Sequence, residues 1–234
     1  MPEQGQLLFS LDKNNLAFPD IDHALENPNG LLAVGGDLSS ERLIAAYRMG
    51  IFPWYEEDQP LLWWSPDPRC VIDPSTFRAS RSLARRIARE EFETRIDHDF
   101  AAVIVACSRR DVNQSAWITH DMANAYLALH EAGIAHSIEC YQGDRLVGGL
   151  YGVCIGSLFF GESMFHYATD ASKVAFAYLM RLMSDAGSPI VDCQLTNPHL
   201  LSLGATEIPR SHFKQILKNH INDPPIDWQA LAAG

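Results

Sequence analysis

The chain has 234 residues, of which 47% are hydrophobic and 20% charged; this excludes a disordered chain and allows one large domain or two small ones. Its longest uncharged run, residues 146–161, contains five glycines, too short and too Gly-rich for a membrane-spanning helix. The net charge of −11 argues against a nucleic-acid partner unless the charge is unevenly placed.

Two further features bear on location. No basic stretch followed by an apolar run opens the chain, so no signal peptide is expected. The five cysteines (Cys70, Cys107, Cys140, Cys154 and Cys193) form no CxxC pair and are odd in number, which fits poorly with a disulfide scaffold. A soluble, reduced, cytoplasmic protein is the expectation.

Residues 1–65 read as a small amino-terminal domain and 66–234 as a larger one. The first begins with a Pro- and Asn-rich stretch, FPDIDHALENPNG, followed by LLAVGGDLSS. A helix then starts at Ser39 or Ser40 as cap and stops at Gly50. Within the next turns lies an aromatic cluster, Tyr47, Phe52, Trp54, Tyr55, Trp63 and Trp64, punctuated by Pro53, Pro60 and Pro66. It reads either as a packed junction or as a wall for an apolar ligand.

Helical spacing resumes over residues 80–91. Arg78, Arg81, Arg85, Arg86 and Arg89 carry a local +5 with no acid among them, leaving −16 on the remainder. Such asymmetry suits either a solvated face or one polyanion-binding face on an acidic body. Further helices fit 98–108 and 119–133, the latter with Ala123, Tyr126, Leu127 and His130 on one face. Strand signals follow at 137–141, 146–155 and 158–160, joined by Gly143-Asp144 and Gly156-Ser157 as a meander of two hairpins. A long helix over 171–186 leads to a short buried strand over 190–194. Helices over 199–203 and 211–220 close the pattern. Strands returning through a helix to another strand imply a mixed α/β sheet.

Several catalytic signatures are missing. There is no GxxxxGK[ST] or GxGxxG turn, no HExxH or close His/Cys ligand spacing, and no GxSxG elbow; no metal is expected. Each cysteine sits in an apolar context, where a packed thiol is the commoner reading than a nucleophile. What remains is polar intrusion into buried-looking strands. In IVDCQLTN, Asp192 and Gln194 are two apart and are expected on one face. In LFFGESMF, Glu162 follows Gly161 at a strand end. A buried acid is costly unless paired or functional, and the three together point to a site.

The blocks NGLLAVGGDLS (29–39), YRMGIFPWY (47–55), WWSPDPR (63–69), WIT (117–119), HSIE (136–139), LVGGLYGV (146–153), GESMF (161–165), ASK (171–173), DCQ (192–194) and SLGATEIPR (202–210) occur in that order. Together they resemble the leucyl/phenylalanyl-tRNA–protein transferase family. The resemblance implies a small amino-terminal domain and a GNAT-like (acyl-CoA N-acyltransferase-like) carboxy-terminal domain. It implies transfer of Leu or Phe, and less readily Met, from aminoacyl-tRNA to an amino-terminal Arg or Lys, creating an N-degron. No cofactor and no membrane are implied, and a cytoplasmic monomer is expected.

The residues suit that chemistry. The donor ester is already activated, and the acceptor amine has a reference pKa of about 7.7–8.0, so neither a metal nor a covalent nucleophile is required. Asp192 is expected to orient the amine and accept or relay its proton, Gln194 to position the ester or amine, and Glu162 to hold the incoming cationic residue. By resemblance Trp54, Trp117, Leu150, Phe159, Met164 and Leu179 line a pocket for side chains unbranched at Cβ. Leu150 and Leu179 depart from the Met and Phe that family pockets often carry. Arg78, Arg81, Arg85, Arg86 and Arg89 are expected to hold acceptor-stem phosphates, with steep salt dependence. Two rival readings exist. An acyl-CoA acetyltransferase calls for an R/Q-x-x-G-x-G/A turn before the long helix, where this chain has SMFHYATDASK; a non-catalytic tRNA or degron adaptor leaves Asp192 and Gln194 unexplained.

Overall fold

In the computed structural model, which describes residues 8–109 and 118–233, the chain builds two sheets. The smaller contains β1 (Phe9–Leu11), β2 (Leu31–Gly35), β3 (Phe52–Pro53) and β4 (Leu62–Trp64) in the order β1-β2-β4-β3. Between β2 and β3 runs α1 (Ser40–Arg48). The Ser39 side chain accepts the Arg42 N–H at its start, as a capping serine should. Gly50 ends it with φ +74°, and a Cβ there would lie 2.5 Å from the Phe213 ring. Only glycine tolerates both the left-handed backbone and that approach.

The larger sheet is mixed, as expected. It comprises β5 (Arg69–Ile72), β6 (Glu93–Ile96), β7 (Ala135–Gln142), β8 (Arg145–Ile155), β9 (Leu158–His166), β10 (Val191–Gln194) and β11 (Thr206–Ile208), in the order β11-β5-β10-β9-β8-β7-β6. Only β9 and β10 pair in parallel. They are joined by α5 (Ala171–Asp185), because parallel neighbours need a crossover rather than a tight turn. The remaining helices are α2 (Arg81–Ala88), α3 (Phe100–Ser108), α4 (His120–Glu131), α6 (Pro198–Ser202), α7 (Arg210–His220) and α8 (Trp228–Ala233). Among the described residues no helix is long and apolar enough to cross a membrane.

The expected helices and the β7–β8–β9 meander fall within a few residues of their places. One strand differs in a way that matters. β9 does not stop at Phe160 but continues to His166, so Glu162 lies in mid-strand and not at a strand end. Gly152 and Gly161 face each other beside a register shift; a Cβ on Gly152 would sit 2.3 Å from the Phe160 carbonyl. The glycine pair thus carries the ladder past a crowded point instead of ending it.

The large sheet is packed on both faces. One cluster joins Leu32, Tyr47 and Trp63 of the amino-terminal part to Tyr126, Tyr151, Phe160 and Phe213. Beneath α5, Val174, Leu179 and Met183 pack on Leu150, Phe159 and Val191. Each such side chain contributes about 1.5–3 kcal/mol relative to exposure.

Candidate active site

Between α5, strands β8, β9 and β10, and β3 with the adjoining Trp54, a cavity of about 690 Å³ opens. Phe52, Pro53 and Trp54 form one wall; Leu150, Met164, Phe176 and Leu179 form the apolar floor. Trp54 is 40% exposed at the rim, with its ring 5.6 Å from that of Trp64. Glu162 and Gln194 supply a polar side. A concave apolar site with few polar groups is a common ligand-binding form.

Glu162 accepts the Tyr47 hydroxyl on Oε1 and the Tyr126 hydroxyl on Oε2, both at 2.7 Å. Gln194 Nε2 donates to Oε1 at 3.2 Å. Burial pushes the Glu162 carboxyl up to about 7, against the pull of the two tyrosine donors. Burial, and then the negative charge of Glu162, push both tyrosines well above their ordinary value.

Asp192 is placed differently. It is 1% exposed, and Arg69 clamps it with Nε at 2.8 Å from Oδ1 and Nη2 at 2.6 Å from Oδ2. Oδ1 also accepts the Gln194 backbone N–H at 3.0 Å. Arg69 in turn donates to the Gly50 carbonyl at 3.0 Å, and its guanidinium lies 4.5 Å from the Phe213 ring centre. This is a buried, two-pronged ion pair with its hydrogen bonds satisfied.

The expectation that Asp192 and Gln194 share a face is corrected here. The register of β10 on β5 shifts between them, and Gln194 takes φ +56°. Gln194 therefore lines the cavity beside Cys193, whereas Asp192 faces Arg69 and is no part of the lining. A bulge breaks the two-residue alternation on which the expectation rested.

Of the expected pocket residues, Trp54, Leu150, Met164 and Leu179 line the cavity. Phe159 does not. It is fully buried, its ring 5.8 Å from that of Trp228, and the aromatic of the floor is Phe176 instead. Trp117 lies outside the described residues.

On α2 and at its two ends, Arg78, Arg81, Arg85 and Arg89 are exposed, Arg89 lying 3.8 Å from Glu91, while Leu83 anchors the helix in the core. Arg86 is occupied, bonded to Glu91 at 2.5 Å and 3.5 Å from Asp170. Asp170 immediately precedes α5, whose Phe176 and Leu179 line the cavity, so the basic helix stands beside the site.

Arg69, Tyr126 and Phe176 are site residues that the sequence did not single out as such, and Tyr47 stood out only as a member of the aromatic cluster. For Arg69 a signal existed: a cation at the head of the apolar run Cys70–Ile72 calls for an acid on another buried strand, and Asp192 is that acid.

Comparison with known proteins gives a consistent result. The family described as leucyl/phenylalanyl-tRNA protein transferase matches residues 71–218, and that family's N-terminal domain matches residues 36–67. The chain is 53% identical to the leucyl/phenylalanyl-tRNA–protein transferase of Azotobacter vinelandii over 96% of its own length and all of the relative. It is 51% identical to that of Ectopseudomonas mendocina, with the same coverage of both chains. Among solved structures it is similar to L-PGS from Bacillus licheniformis, with 12% identity and a TM-score of 0.41, over 81% of this chain and 63% of that one.

Proposed function

The chain belongs to the leucyl/phenylalanyl-tRNA–protein transferase family and is an aminoacyltransferase; we propose that its cavity takes the leucyl or phenylalanyl end of the tRNA while Glu162 faces the cationic terminus of the acceptor. The observation that carries this reading is one apolar cavity bounded on one side by Glu162 and Gln194.

The chemistry asks little beyond placement. The ester is pre-activated, and holding amine and ester together supplies much of the rate. Gln194 spends one N–H on Glu162. Its other N–H and its carbonyl, without a partner among the described residues, align the ester or the amine and steady the tetrahedral intermediate. Asp192, with both oxygens engaged, orients Gln194 rather than receiving a proton. An amino-terminal Arg or Lys is the acceptor and the product an N-degron, formed by a cytoplasmic monomer.

Leu150, Met164, Phe176 and Leu179 favour donors unbranched at Cβ, because Val and Ile are broader near the backbone and stiff at χ1. The exposed Arg78, Arg81, Arg85 and Arg89 meet acceptor-stem phosphates, and Arg86 ties that helix to the head of α5. Incubation with labelled leucyl-tRNA and an Arg-initiated peptide tests the reading. A new Leu–Arg bond is expected; binding of both partners without that bond identifies an adaptor and sinks it.

A further inference from the structure

Three oxygen contacts close a ring at the polar side of the cavity. The hydroxyls of Tyr47 and Tyr126 are 2.6 Å apart, and each reaches a different oxygen of Glu162 at 2.7 Å. All three separations are those of O–H···O hydrogen bonds, so each contact needs one hydrogen. The phenols bring two. With Glu162 ionised, one contact is left with lone pairs facing each other; with Glu162 protonated, all three are filled. The ring therefore has room for one proton more than its tyrosines supply.

Its surroundings suit a proton that comes and goes. Tyr47 and Tyr126 are 1% and 0% exposed, which holds the ring rigid, while Glu162 opens on the cavity. The groups facing it from neighbouring elements are Tyr47 on α1, Tyr126 on α4, Tyr151 on β8, Gln194 and Asp192 on β10, and Arg69 on β5. The only full charges among these are Asp192 and Arg69, and they close on each other. Among the described residues no cation bonds Glu162 directly, so no ion pair pins its charge.

We propose that the Tyr47–Tyr126–Glu162 ring takes up the proton lost by the acceptor's α-ammonium, with Glu162 as the catalytic group and the tyrosines as positioning residues. This rests on the aminoacyl-transfer reading above. The ammonium starts with three hydrogens. One stays on the new amide nitrogen, one leaves on the ribose oxygen, and one goes to the ring. The C–N bond forms as the ester C–O bond breaks, and no other reactant is needed. Between turnovers the ring returns its proton to water through the open cavity.

The test is the pH dependence of kcat/KM for an Arg-initiated peptide with leucyl-tRNA. The wild type should give a bell, rising as the ring loses its proton and falling as the acceptor ammonium does at about 7.7–8.0. Glu162→Gln should lose about 100-fold or more and show only a single rise with amine deprotonation. Tyr47→Phe and Tyr126→Phe each remove a donor that favours the carboxylate, so each should move the rising limb to higher pH. A Glu162→Gln variant that keeps the wild-type bell overturns the proposal. So do tyrosine variants that lose rate while the limb stays in place, and these decide alone if Glu162→Gln does not fold. A wild type that forms no Leu–Arg bond overturns the transferase reading itself, whereas a wild type that transfers without the bell overturns only the ring.

Discussion

Two carboxylates lie on adjacent parallel strands, and their surroundings divide the work. Asp192 on β10 is locked to a guanidinium and a backbone N–H. Glu162 on β9 is held by two phenols and an amide, all neutral. Burial raises the cost of charge in both places, but a fixed cation offsets it for the first while neutral donors offset it only in part for the second. On the proposal above, the first acid clamps the Gln194 backbone and the second accepts the proton, although the two are the same chemical group.

The sharpest way to break this contrast is to remove Arg69. Arg69→Met leaves Asp192 buried without its partner and should cost about 3–5 kcal/mol in urea unfolding. The double variant Arg69→Met with Asp192→Leu has no stranded charge and should recover most of that loss. Transfer should remain at least tenfold down, because nothing then holds the Gln194 N–H. Asp192→Asn should likewise cut transfer tenfold or more with tRNA affinity nearly intact. A double variant that transfers at the wild-type rate would show the pair to be dispensable scaffolding.

How far the sequence revealed this arrangement depends on the range of the interaction. Local signals sufficed for α1, with its Ser39 cap and Gly50 stop, for α5 and for the β7–β8 hairpin, while β9 was legible only as far as Phe160. Strands β1 to β6 and β11, two to five residues each, are too short to display a period. Glu162 and Gln194 stood out as polar residues in apolar runs, and both line the cavity. Their pairing with distant residues did not stand out. Arg69 meets Asp192 across 123 positions and Tyr47 meets Tyr126 across 79, and a tyrosine on an apolar helix face looks like ordinary core until its hydroxyl is seen to have a partner. The Asp192–Gln194 alternation failed at a bulge, which leaves no mark in residue types alone.

A second comparison turns on stability rather than rate. Glu162 holds its proton more tightly folded, at about 7, than the ordinary carboxylate value of 4.5. Across that window the folded chain keeps a proton that the unfolded chain has released, so unfolding free energy should fall as pH rises. Below the lower value the contribution is fully present; above about 7 it is gone. Urea melts at pH about 5 and about 8 should show the wild type losing on the order of 1–3 kcal/mol more than Glu162→Gln does. Parallel losses in the two proteins would mean that Glu162 ionises as freely as an exposed acid, and the contrast with Asp192 would disappear.

The smallest effect separates the backbone of Gln194 from its amide. At φ +56° a side-chain-bearing residue is strained by roughly 1–2 kcal/mol relative to glycine, and the Asp192 carboxylate holds it there through the backbone N–H. Gln194→Ala and Gln194→Gly both delete the amide that reaches Glu162, so both should lose transfer to a similar degree. Gln194→Gly alone relieves the left-handed backbone, part of which is returned by the greater freedom of glycine in the unfolded chain. It should therefore unfold about 1 kcal/mol later than Gln194→Ala while transferring no better. If Gln194→Gly instead transfers well above Gln194→Ala, backbone placement rather than the amide is what β10 supplies to the reaction, and Asp192 acts on the main chain alone.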